Sequence, residues 1–216
     1  EIKHPQLSSC EEDSHTWLPY CWGRVNQTNW FIDCVHHNTY REASQLMLLL
    51  VNAKELLPCI STSNDLIGRI KNGGIAIEGE KIVAVGSTPE IVARYAAASP
   101  EIINCAGKII APGFVDSHTH LVFGGSRVQE YAAKMTMSRE QIAALNIPTG
   151  ILATVNMTRA ASIDELTASA EDRLRRMLCY GTTTVESKSG YGLTVSDEIK
   201  LLEVNQKLRA SQPVDI

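Results

Sequence analysis

Apolar and polar positions follow two different regimes along this chain, and the change comes near residue 47. From there the periods are clean. LMLLLVNAKEL (46–56) is an apolar run of strand length and predicts a buried strand. GGIAIEGEKIVAVG (73–86) sets Ile75, Ile77, Ile82, Val83 and Val85 around Gly79-Glu80, a glycine-first pair suited to a tight hairpin. Thr88 predicts an N-cap, with Pro89 at the first helical position and Glu90 close behind, so IVARYAAA should be a short helix. EIINCAGKIIAPG (101–113) reads as two more short strands about Ala106-Gly107. Together these predict a small β-rich unit with one helix.

Downstream the order becomes strand, helix, strand, helix, strand. GFVDSHTH (113–120) is strand-like and runs into a loop at Gly124-Gly125. Ser162 and Glu165 form a capping box, and Ile163, Leu166, Ala170, Leu174 and Met177 share one helical face. Gly181 ends that helix, and TTTVESK (182–188) opens with four β-branched residues. Ser189-Gly190-Tyr191-Gly192 is a turn. The next helix carries Asp197 and Glu198 in its first turn, with Ile199, Leu202 and Leu208 as its apolar positions. Pro213-Val214-Asp215-Ile216 reads as the entry to a third strand. Strands joined by helical crossovers imply an α/β fold with a parallel sheet.

Residues 1–46 have no sustained period of 2 or 3.6, so no fold is assigned to them. They hold all three Trp, half of the twelve aromatics, four of the six His and three of the six Cys, but only one Gly. Cys10, Cys21, Cys34, His36 and His37 raise the question of zinc, yet the cysteine spacings are wide for a structural site. The expectation is an extension without fixed structure, dispensable to the remainder, with Met47 reading as a natural start.

Composition narrows the class. A 216-residue chain with 44% hydrophobic and 20% charged residues can bury a core and is not disordered by composition. The net charge of −4 argues against a nucleic-acid surface. Leu46 to Val51 is the longest apolar run, far short of the roughly 20 residues of a membrane span. Cysteines without a CxxC pair, behind a polar, acidic start, fit a reducing, cytoplasmic compartment.

The sharpest chemical feature is His118 with His120. At i and i+2 on a strand both imidazoles leave the same face, close enough to share one metal ion, at the C-terminal end where parallel α/β folds place their sites. A bare HxH also recurs by accident. Asp116 shares the face and could orient a ligand histidine. Arg127, across the glycine loop, is suited to a substrate carboxylate, although an isolated arginine is more often a surface residue. Glu186, Lys188 and Tyr191 gather at the end of the next strand, where Glu186 and Lys188 read first as an ion pair.

PGFVDSHTHLVFGGSR (112–127), followed by NMTRAAS (156–162) and TTTVESKSGYGL (182–193), resembles the imidazolonepropionase family of the metal-dependent amidohydrolase superfamily. The resemblance runs from residue 47 to 216 and leaves 1–46 outside it. It implies a (β/α)8 barrel, of which 111–216 would supply the first two to three strands. A small β-sandwich would then take its N-terminal part from 47–110. It also implies one zinc or iron ion on His118 and His120, and substrate contacts from Arg127 and Tyr191. The implied reaction is hydrolytic opening of the small molecule 4-imidazolone-5-propanoate to N-formimidoyl-L-glutamate, in histidine degradation.

Two segments depart from the family pattern. Pro148-Thr149-Gly150-Ile151 stands where Gly-Gly-Gly-Ile is more usual, and Ser187 stands where a small apolar residue is commoner. Lys188 lies on the wrong strand for the carboxylated lysine of two-metal relatives. A barrel needs about 250 residues, and no histidine follows His120, so the remaining ligands and the catalytic groups are expected beyond Ile216. The chain is therefore expected to be a truncated form, inactive alone. Open alternatives are a hydrolase of another cyclic amide and a non-enzymatic truncated product. A homodimer at full length also stays open.

Overall fold

The computed structural model describes residues 24–25, 28–31 and 47–216. The chain divides into two compact units, Glu1–Pro112 and Gly113–Ile216. The zinc question at Cys10, Cys21, Cys34, His36 and His37 lies outside the described residues.

The first unit is built around β3 (Met47–Leu56), which pairs antiparallel with β4 (Ile70–Glu78); β4 then turns at Gly79-Glu80 into β5 (Lys81–Ser87). The hairpin is the one the alternation predicts. The two strands expected about Ala106-Gly107 also form, as β6 (Glu101–Asn104) and β7 (Ile109–Pro112). They do not pair with each other. Both run parallel to β3, one after the other along the same edge, at Leu48–Val51 and at Glu55–Leu56.

Two short strands upstream, β1 (Arg24–Val25) and β2 (Thr28–Phe31), complete the sheet, with Trp30 and Phe31 opposite Pro112 and Ala111 of β7. Part of the first 46 residues is thus tied to the sheet. Backbone pairing makes the tie, and it needs no side-chain period to announce it. β7 is paired on both sides, and the first compact unit runs to Pro112.

Both faces of β3 are buried. Leu49 and Val51 pack with Ala76 and with Ile91 of helix α1 (Thr88–Tyr95), while Leu50, Leu56, Ile75, Ile103 and Ile110 form the opposite cluster. A bulge between Leu50 and Ala53, with Asn52 at φ 62°, resets the alternation so that Ala53 joins the Leu50 side. The N-cap of α1 is Ser87, one residue before the predicted Thr88. Ser87 donates its N–H and its hydroxyl to Glu90. Thr88 is instead buried, accepting the Asn52 N–H at 2.7 Å and donating to the Gly73 carbonyl at 3.0 Å. Thr88→Val should therefore cost about 1–3 kcal/mol, because it orphans a strained backbone amide. An unchanged unfolding midpoint for that variant would remove the role.

In the second unit β8 (Phe114–Thr119) and β9 (Thr182–Ser187) pair in parallel, as the crossover pattern requires. The Val214–Ile216 tail adds a parallel bridge from Asp215 to Thr184. Between the strands lie α2 (Val128–Thr136), α3 (Arg139–Ala144), α4 (Gly150–Ala160) and α5 (Ile163–Cys179). Only α5 is legible in the sequence, and its capping box forms as expected. The other helices hide because α4 buries Thr154 and Thr158 beside Val155, and α3 buries nothing.

Helix α6 (Val195–Ser211) buries Leu201, Val204 and Leu208. Ile199 and Leu202, expected inward, are about half exposed. Leu201, Val204 and Leu208 share one helical face, whereas Ile199 and Leu202 lie on another, and packing covers the first. On β8, Phe114 and Val115 are 66% and 67% exposed, although strands of parallel sheets are normally covered on both faces. The described residues contain no closed barrel. None of their helices is long and apolar enough to cross a membrane.

Candidate active site

The C-terminal end of β8 presents His118 and then, one residue past the strand, His120. Their ring centres are 5.7 Å apart. Two imidazoles binding one zinc at about 2.0–2.1 Å have ring centres about 5–6 Å apart, so the spacing suits a shared ion. His120 Nδ1 is buried and has no hydrogen-bond partner, which a ligand nitrogen awaiting a cation would explain. The residues present fit a metal in this respect. They supply two donors; among the described residues no group of three His, Cys, Asp or Glu stands together. Asp116 does not orient either ring. Its Oδ1 accepts the backbone N–H of His118 at 3.1 Å, so its role is local to the strand.

Lys188 donates its backbone N–H to Thr119 O at 2.7 Å, which brings the end of β9 level with the histidines. The loop that follows lays Tyr191 against them. Its ring centre is 5.0 Å from that of His120 and 6.0 Å from that of Phe123. Phe123 is itself fixed by Arg173 of α5, whose guanidinium stacks 3.6 Å from the ring centre and donates to the carbonyls of Leu121 and Phe123.

Gly124 seats this segment on α4. A Cβ there would lie 2.5 Å from Met157 O, and the Gly124 N–H reaches the buried Thr158 hydroxyl at 2.9 Å. Neither Arg173 nor Thr158 carries a sequence signal. Each acts through a contact more than 30 residues away.

Arg127 and Tyr191 line one cavity of about 450 Å³, with Phe123, Gly125, Gly150 and Thr154. Arg127 is not a free surface residue. Its Nε lies 3.1 Å from Glu130 Oε2, an ion pair without hydrogen-bond alignment. Glu130 is buried, and its other oxygen accepts from Lys134 Nζ and from the Gly150 N–H at the start of α4. The Lys134 ammonium, the Gly150 amide and Arg127 hold the Glu130 carboxyl below its usual range against the opposing effect of burial. Among the described residues no hydrogen bond occupies the terminal guanidinium nitrogens of Arg127. Glu130 carries a local signal in the sequence, an acid three residues after Arg127 on a helix, which is an ion-pair spacing.

Glu186 and Lys188 do pair with each other, as their shared strand face suggests. The Lys188 ammonium, and secondarily the His118 side chain, keep the Glu186 carboxyl below its usual range. Glu186 faces a different hollow from the Arg127 cavity, one it shares with Asp116, Leu202 and Arg209.

Residues 73–98 match a family pattern described as "Imidazolonepropionase-like composite domain, bacteria". The chain is 40% identical over 178 residues to imidazolonepropionase of Geobacillus kaustophilus, covering 82% of this chain and 41% of that protein. It is 48% identical over 145 residues to imidazolonepropionase of Fusobacterium nucleatum, covering 67% of this chain and 35% of the relative. Among solved structures, E. coli guanine deaminase aligns at a TM-score of 0.50 and 15% identity, over 76% of this chain and 34% of the deaminase, a likeness of fold alone. The chain spans about two fifths of the length of the curated relatives it matches. Within that span it is a homologue of the imidazolonepropionases.

Proposed function

We propose that this sequence forms the N-terminal part of an enzyme that opens 4-imidazolone-5-propanoate by hydrolysis to N-formimidoyl-L-glutamate. In this reading 47–110 belongs to a small β-sandwich, and 111–216 begins a (β/α)8 barrel whose further strands would cover Phe114 and Val115. Beyond the pairing of β1 and β2, residues 1–46 have no assigned role.

His118 and His120 hold one zinc or iron ion, with further ligands from outside this chain. When bound, such an ion supplies a Lewis acid for the ring carbonyl and lowers the pKa of a coordinated water toward about 7. Arg127 receives the propionate carboxylate on its terminal guanidinium nitrogens, a bidentate geometry that fixes the far end of the substrate. Tyr191, between the histidines and the cavity, bounds the ring.

The observation that carries the reading is the convergence of three residues from two loops. Arg127 and Tyr191 share one cavity, and Tyr191 packs on His120, so a carboxylate held at Arg127 has its ring directed toward the histidine pair. The test is a chimera joining the whole 216-residue chain to the remaining length of the Geobacillus kaustophilus relative. Zinc- or iron-dependent loss of imidazolone propionate absorbance is expected. A folded chimera that opens only a cyclic amide without the propionate would favour the sibling activity. One that opens neither would overturn the enzymatic reading.

A further inference from the structure

The Ser189–Leu193 loop has no apolar anchor of its own, yet it must hold Tyr191 against His120. Glu198 of α6 and Arg159 of α4 do this. Thr194 caps α6 by accepting the Asp197 N–H at 3.1 Å, which turns the first helical turn toward the loop. From that turn Glu198 reaches back. Its Oε1 accepts the Gly192 and Leu193 amides, both at 2.8 Å.

Arg159, in the last turn of α4, donates Nε to the Gly192 carbonyl at 2.6 Å and lies 3.5 Å from Asp197 Oδ2. Gly192 is thereby gripped at both its N–H and its C=O. It also sits too close to α6 for any side chain, since a Cβ would lie 2.7 Å from Asp197 C and Glu198 N. Leu193 is held at φ 57°, a left-handed conformation that a non-glycine residue keeps only when its surroundings impose it.

We infer that Glu198 is a positioning residue for substrate binding: by accepting the Gly192 and Leu193 amides it clamps the loop so that Tyr191 stays packed on His120 beside the Arg127 cavity. This rests on the proposed function for the identity of the ligand, but not for the clamp itself. The clamp needs an acceptor, and the Glu198 charge strengthens it. A glutamine carbonyl can take both amides, and alanine can take neither.

The experiment uses the 216-residue chain. NMR would follow amide hydrogen exchange at Gly192 and Leu193, ring contacts between Tyr191 and His120, and binding of 3-(imidazol-4-yl)propanoate. Slow exchange at both amides is expected in the unaltered protein. Glu198→Ala should speed that exchange by about tenfold or more, the scale of one lost hydrogen bond to a charged group. It should also lose the Tyr191–His120 contacts and weaken the ligand by a similar factor, while Glu198→Gln, which keeps a neutral acceptor, falls between the parent and Glu198→Ala.

Gly192→Ala, which displaces the loop but leaves Glu198 intact, should reproduce the alanine phenotype and serves if Glu198→Ala does not fold. Fast exchange at both amides in the unaltered chain overturns the clamp. So does a Glu198→Ala variant with its Tyr191–His120 contacts intact, or a Glu198→Gln variant as loose as Glu198→Ala. Failure of the unaltered chain to bind the propanoate, with the clamp behaving as expected, counts against the substrate reading and not against the clamp.

Discussion

His118→Ala and His120→Ala, each introduced into the chimera described above, should lose hydrolysis of imidazolone propionate by well over about a hundredfold. Groups that merely orient a metal ligand already cost about 10–100-fold when removed, and deleting a ligand itself is more severe. The two histidines differ in surroundings, which sharpens the expectation. His118 is exposed at the strand end, so its loss opens one coordination position. His120 is partly covered, carries a buried unpartnered nitrogen and packs on Tyr191, so its loss also removes a wall of the cavity. Both variants should show reduced metal content, and His120→Ala should additionally raise KM. Metal analysis beside the assay decides the matter, since full occupancy with full activity in either variant would end the assignment.

Arg127→Ala should cost the propionate substrate about 2–5 kcal/mol, the usual penalty for losing one partner of a charge-assisted pair, and the loss should appear mostly in KM. A ring-only 4-imidazolone without the propionate should be nearly unaffected. The structure adds a control. Glu130 stays anchored to Lys134 and the Gly150 amide when Arg127 is gone, so the start of α4 should hold its place and the unfolding midpoint should change little. Equal losses for the two substrates would show that Arg127 serves the ring or the fold, and the carboxylate role would fall.

Elements whose information is local are legible in the chain alone. β3, the β4–β5 hairpin, α5 with its capping box and β9 all follow from runs, turn residues and caps within a few positions. The histidine pair is legible as well, because two residues at i and i+2 at a strand end need nothing distant to come close. Arg127 and Tyr191 were nameable by resemblance, but 64 residues separate them, and only the fold brings them to one cavity.

Tertiary structure alone decided the rest, for a common physical reason. Ser87 rather than Thr88 caps α1 because the Thr88 hydroxyl is needed by Asn52 and Gly73, in other strands. Leu201 and Val204 rather than Ile199 and Leu202 turn inward on α6 because two apolar stripes were available and the neighbouring elements could cover one. Glu130, Arg159, Arg173 and Glu198 look like ordinary surface charges in the sequence. Each acts by meeting a backbone group of a loop or another element. Periodicity reports which face of an element is apolar. It carries no record of the partner across the gap, and a polar side chain acquires its role only when folding brings an otherwise unpaired amide or carbonyl within its reach.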